Sequence, residues 1–125
     1  MTPRKQSERS IQREIIGALR RMGFRVIHVP NGVRYAGSAE QRARQAATMR
    51  ADGVVKGTPD LMVLRPAQRG GPDFGWMEVK REGGRMEPEQ IAFRDSARAD
   101  GFRHAVVRSL EDVIETLEGW GWHNA

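Results

Sequence analysis

Two apolar periods alternate along this chain, and the alternation limits the folds open to it. Apolar residues every three or four positions indicate helices, and short β-branched runs indicate strands. The first helical stretch spans Ser7 to Met22, with Ile11, Ile15, Ala18, Leu19 and Met22 on one stripe. Ser7 suits the N-cap and Gly23 the stop. Phe24 to Val29 predicts a strand, ended by the turn Pro30-Asn31-Gly32. Residues 39–51 favour a helix by propensity but carry few large apolar groups, which predicts an exposed, basic helix closed by Asp52-Gly53. Gly57-Thr58-Pro59-Asp60 then turns into a buried strand over Leu61-Met62-Val63-Leu64. A Pro- and Gly-rich loop from Arg65 to about Pro72 precedes a strand from Phe74 to Lys80, and a hairpin is the simplest pairing of the two. Pro88 opens a helix with Ile91, Phe93 and Ala97 among its apolar positions, ended by Gly101. Phe102 to Arg108 reads as a fourth strand. Ser109, with Asp112 three residues on, opens a last helix containing Leu110, Val113, Ile114 and Leu117. The rings of Trp120 and Trp122 then pack on the core or on a partner subunit. The order helix, strand, helix, strand, strand, helix, strand, helix predicts a mixed α/β fold.

With 125 residues, the chain suits one domain spanning 1–125, with a core over about 7–118. It contains no cysteine, which excludes disulfides and thiolate metal sites. No apolar run approaches the ~20 residues of a membrane span. Met1-Thr2-Pro3-Arg4-Lys5 leads into polar residues rather than an apolar signal core, so the expected location is cytoplasmic. Lys and Arg total 21 against 16 Asp and Glu, a formal charge of +5. A basic surface attracts polyanions, nucleic acid above all. Arg far outnumbers Lys, and its planar fork suits phosphate, although a genome rich in G and C produces the same bias.

The chemistry centres on Asp60, Glu78 and Lys80. Glu78 and Lys80 are two apart on a strand and share a face, while Val79 points the other way into the core. Asp60 stands at the start of the neighbouring strand. If the strands pair, two carboxylates and one ammonium meet at one end of a sheet. Hard oxygen ligands suit Mg²⁺ or Mn²⁺, and Mg²⁺ often takes only one or two carboxylates. The plain alternative is a surface Glu–Lys ion pair, worth about 0–1 kcal/mol, beside a common Pro-Asp turn.

These residues carry a resemblance. Gly57-Thr58-Pro59-Asp60 followed by Glu78-Val79-Lys80 resembles the Pro-Asp…Glu-x-Lys signature of the PD-(D/E)xK nuclease superfamily, and more narrowly the VRR-NUC family, found alone in phages and bacteria and fused within larger eukaryotic repair nucleases. Glu8 in Ser7-Glu8-Arg9-Ser10-Ile11-Gln12, Asn31 after the first strand, and Gln90 in Glu87-Pro88-Glu89-Gln90 fit the same pattern, over roughly residues 7 to 115. The Arg-rich stretch 33–56 departs from the family's common core. The resemblance implies a restriction-endonuclease-like core: a four-stranded mixed sheet flanked by helices. It implies that Glu8, Asp60 and Glu78, with the Val79 backbone carbonyl, hold Mg²⁺ or Mn²⁺. Lys80 is then the catalytic lysine, and Gln90 helps place the water or the phosphate.

The activity implied is a metal-dependent DNA endonuclease of a bacterial or phage-infected cell, acting on branched DNA such as Holliday junctions in DNA repair, as a homodimer, with no membrane partner and no nucleotide cofactor. Asn31, Arg42, Arg44 and Arg50 are candidate DNA contacts; a turn-forming Asn and a solvated helix face are their plain readings. Glu14 competes with Glu8, but six residues on it points well around the helix. Gln12, one turn from Glu8, either supports it or lies on the helix surface. His28, sharing a strand face with Val26, reads as structural. Asp73, Glu82 and Glu87 read as surface charges. Three other activities stay open: a restriction-like or end-processing exonuclease, a DNA-binding module that does not cut, and an interaction domain that binds neither metal nor DNA tightly.

Overall fold

A computed structural model describes residues 5–30 and 35–122. Its elements run α1 (Glu8–Arg21), β1 (Arg25–His28), α2 (Ala39–Ala51), β2 (Leu61–Arg65), a short 3-10 turn at Ala67–Arg69, β3 (Asp73–Val79), α3 (Pro88–Ala99), β4 (Arg103–Val107) and α4 (Leu110–Gly119). The eight expected elements are present in the expected order. The addition is the 3-10 turn, inside the stretch read as loop.

Local chemistry explains the helix ends. Ser7 Oγ accepts the Ser10 N–H at 3.1 Å, and Ser109 Oγ accepts that of Asp112 at 3.1 Å. Pro88 sits in the first turn of α3, where its missing N–H costs nothing. Here the N-cap is Glu87, whose backbone N–H donates to Gln90 Oε1 at 2.7 Å.

The four strands form one sheet in the order β1-β2-β3-β4. β1, β2 and β3 pair antiparallel, with His28 opposite Leu61 and Leu61 opposite Met77. β3 and β4 pair parallel, with Val79 opposite Val107. A parallel pair needs a long crossover, and α3 supplies it. The fold is therefore α/β, with a four-stranded mixed sheet flanked by helices.

Strand alternation divides the sheet into two faces. Leu61, Val63, Met77, Val79 and Val107 are fully buried beneath α1 and α4, among Ile11, Ile15, Leu19, Val113 and Leu117. Each such side chain contributes about 1.5–3 kcal/mol by leaving water. Trp122 joins this core against Phe24, with ring centroids 5.8 Å apart. Trp120 covers Gly75 so closely that a Cβ there would strike its ring. Both tryptophans thus pack within the chain.

The opposite face lies under α3. Trp76 meets Phe74 and Phe93 edge-on, at 5.0 and 5.3 Å between centroids. Glu78 and His104 are buried on this side. Where β3 begins, Asp73 binds Arg103 at 2.8 Å and the Trp122 indole N–H at 3.2 Å, and Arg65 lies 3.7 Å away.

α2 buries none of its residues. Its support is local: Ser38 and Gln41 form a capping box, Gln45 bonds both backbone groups of Ala36, and Glu40 pairs with Arg44 at 3.6 Å. The exposed, basic helix expected here is present.

Candidate active site

The Gly57-Thr58-Pro59-Asp60 turn delivers Asp60 to the edge of the sheet. Gly57 has φ +91 and presses on the backbone of Glu89 and Gln90, so nearly that a Cβ would collide with the Glu89 carbonyl. Only glycine satisfies both conditions. The Thr58 hydroxyl donates to the Val55 carbonyl at 2.6 Å, and Pro59 is fully buried. Asp60 is then held at both its backbone and its side chain. Its carbonyl accepts the Val29 N–H at 2.7 Å, and its Oδ2 accepts the Val79 N–H at 2.8 Å.

β3 supplies the other two charged groups. Glu78 is 1% exposed and Lys80 7%, so this is not a solvated surface pair. Lys80 Nζ lies 3.5 Å from Glu78 Oε1. Gln90 Nε2, from the first turn of α3, donates to the same oxygen at 2.9 Å. The second oxygen, Oε2, is buried and has no hydrogen-bond partner among the described residues. Burial, then the adjacent Asp60 charge, push the Glu78 carboxyl up to about 8 against the opposing pull of Lys80.

Four of the expected residues therefore converge: Asp60, Glu78, Lys80 and Gln90. Glu8 lies in the first turn of α1, half-buried, and makes no hydrogen bond or ion pair among the described residues. No group of three or more His, Asp or Glu side chains gathers as a metal cluster among the described residues, so the carboxylates drawn together here are two. Glu14 is exposed and accepts from Gln6 at 2.9 Å. Arg42, Arg44 and Arg50 stand on α2, and Arg44 is tied to Glu40. Asn31 lies outside the described residues.

Two contacts were not legible in the residue pattern. Gln12 turns to His28 rather than to Glu8: His28 Nδ1 lies 3.2 Å from Gln12 Nε2 and 3.1 Å from the Asp60 carbonyl oxygen. His28 thus braces the turn that carries Asp60. Arg108 Nη1 donates to the carbonyls of Arg81 and Gly84, at 2.9 and 2.7 Å, and so holds the loop that follows Lys80. The Gly83-Gly84 pair marked that loop, but nothing in the spacing pointed to Arg108.

Two carboxylates, one ammonium and one amide at the end of a hairpin make a constellation suited to phosphoryl chemistry. A VRR-NUC domain model matches residues 31–111. The chain belongs to the VRR-NUC family. A VRR-NUC domain is a nuclease domain acting on DNA, and the match spans Asp60, Glu78, Lys80 and Gln90. No characterised protein and no solved structure matches the chain. Among the described residues of this VRR-NUC protein, no helix is long and apolar enough to cross a membrane.

Proposed function

We propose that this nuclease is a metal-dependent DNA endonuclease acting on branched DNA, four-way junctions included. The observation that carries the metal is Glu78 Oε2, a buried carboxyl oxygen without a partner, beside the Asp60 carboxylate whose charge raises the Glu78 pKa; a cation held by both groups would displace the proton. A buried acceptor left unmade costs about 1–3 kcal/mol, and a cation would relieve that cost. Asp60 and Glu78 would hold Mg²⁺ or Mn²⁺. In extended backbone a residue's N–H and C=O face the same neighbouring strand, so the Val79 carbonyl joins them on Asp60's side of β3. Glu8 would complete the set from α1. The metal supplies an acidified water and neutralises charge on the phosphate.

The chain's own residues do the rest. Gln90 and Lys80 both hold Glu78 Oε1, which leaves Oε2 for the cation. Lys80 also offsets the negative charge that builds on the phosphate as water adds to phosphorus and the ester oxygen leaves. Its burial strengthens that effect. Arg42, Arg44, Arg50 and Asn31 serve as outer contacts to the DNA backbone, fixing position without reading sequence.

The preference for branched DNA and the homodimer rest on the family. Twofold-related sites would give paired cuts in a symmetric junction. A sedimentation experiment that finds one copy both free and on junction DNA removes the dimer.

The deciding experiment compares labelled junction, linear duplex and flap DNA, with Mg²⁺, Mn²⁺ or chelator. The native chain cuts the junction only with metal, and Lys80→Ala and Asp60→Asn each lose at least about 100-fold. Cutting confined to linear or flap DNA keeps the nuclease and discards the junction. Cutting in chelator discards the metal.

A further inference from the structure

We propose that the loop after β3 forms a cationic rim, in which Lys5, Arg81 and Arg85 grip DNA phosphates beside the one that is cut and Arg108 holds the rim in place. The proposal deepens the nuclease reading above and rests on it.

The loop begins one residue beyond Lys80, so DNA that reaches Lys80 passes it. It is fixed along its length. The Lys80 N–H donates to the Val107 carbonyl at 3.0 Å, and the Gly84 N–H closes a turn onto the Arg81 carbonyl at 3.0 Å. Arg108 gathers the Arg81 and Gly84 carbonyls from β4's end. Arg94, on α3, reaches the sulfur of Met86 at 3.9 Å.

Arg108 is half-buried, and its guanidinium pairs with no acid among the described residues. It is committed to carbonyls, and the result is a rigid platform. Arg81 and Arg85 project from that platform, both exposed and neither in a salt bridge among the described residues. Lys5 adds a third cation from the segment before α1: its ammonium lies 3.9 Å from the place a Cβ on Gly83 would occupy. Gly83 has φ +77, so glycine favours this turn.

Arg81, Arg85 and Lys5 are ion-paired to no acid among the described residues, although Glu82 and Glu87 lie on the same loop, and unpaired cations on a fixed loop suit a polyanion. Arginine offers a bidentate fork to phosphate oxygens, and a loop already ordered loses little entropy on binding. On α2, by contrast, Arg44 is already paired with Glu40 and the helix buries no residue, so its arginines are less firmly held than those of the rim.

The test measures binding of labelled junction DNA in chelator, across a range of KCl, and then single-turnover cleavage with Mg²⁺ or Mn²⁺. Arg81→Gln/Arg85→Gln should raise Kd by about tenfold near physiological salt and lower the slope of log K against log salt by about 2. Single-turnover cleavage at sub-saturating protein should fall in step with binding, by about tenfold. Arg108→Lys keeps the charge but loses the reach of Nη1, the one nitrogen that holds both carbonyls, and should weaken binding in the same direction. An unchanged Kd and slope in the double variant overturns the rim, as does lost cleavage with binding intact. Native-like binding by Arg108→Lys removes that residue from the proposal. If the native chain cuts nothing with either metal, the nuclease reading fails and the binding titration still decides the rim.

Discussion

Gln90 holds Glu78 from across the gap between α3 and β3, its Nε2 donating to Oε1 at 2.9 Å. The other end of the same amide accepts the Glu87 N–H at 2.7 Å and caps the helix. One side chain thus orders both the helix start and a site carboxylate, and substitutions can separate the two roles. Gln90→Glu keeps the cap acceptor but sets a second carboxylate against Glu78. It should stay within about 1 kcal/mol of native stability and lose at least about tenfold in cleavage. Gln90→Ala loses the cap as well, about 0.5–2 kcal/mol. Urea melts beside single-turnover assays check both.

Gly57 couples the Asp60 turn to the helix that carries Gln90. Gly57→Ala meets a positive φ and the Glu89 carbonyl together. It should cost about 1–3 kcal/mol and reduce cleavage further than that loss of fold explains, because α3 must move. Gly53 has nearly the same φ with nothing within 4 Å. Gly53→Ala should cost about 1 kcal/mol and leave cleavage unchanged, which separates strain from contact.

His104 is buried on β4, and its Nδ1 has no partner among the described residues. Burial, then the Arg98 and Arg94 charges, lower its pKa from 6.5 to about 4. Above pH 6.5 the ring is neutral in both folded and unfolded chains, and adds no pH dependence. Between 6.5 and about 4 the unfolded chain takes the proton first, so stability falls as pH falls, by up to about 3 kcal/mol. His104→Leu should flatten that part of the stability profile. Equal acid slopes for variant and native chains would sink the assignment.

Asp73 ties the Trp122 end of the chain to the sheet. Arg65 and Arg103 flank the Trp122 ring at 5.4 and 5.7 Å, and Asp73 accepts from both Arg103 and the indole. Asp73, expected from its place in the sequence to be a surface charge, is instead the acceptor at the centre of this cluster. Asp73→Ala should cost about 1–3 kcal/mol in urea unfolding. Cleavage at saturation should be unchanged where the variant is folded, since Asp73 and Glu78 lie toward opposite ends of β3.

The residue pattern was enough for the elements, because each was written in a short-range code. The period of Ile11, Ile15 and Leu19 marks a helix, the β-branched runs mark strands, and caps such as Ser7 and Ser109 mark boundaries within a residue or two. The same alternation placed Glu78 and Lys80 on one face with Val79 in the core. Pro-Asp and Glu-x-Lys at hairpin separation pointed to the candidate site.

What the pattern could not settle was distance between segments far apart in sequence. That Asp60 takes the Val79 N–H depends on the register of β2 with β3. That His28 braces the Asp60 carbonyl depends on β1 pairing with β2. That Arg108 grips the loop after Lys80 depends on the parallel pairing of β4 with β3. Burial belongs with these, because a Glu-x-Lys pair on an exposed strand and one sealed beneath a helix read alike. Periodicity is local and the sequence by itself determined it, whereas the dryness that raises the Glu78 pKa and leaves one of its oxygens without a partner was decided only when α3 closed over the sheet.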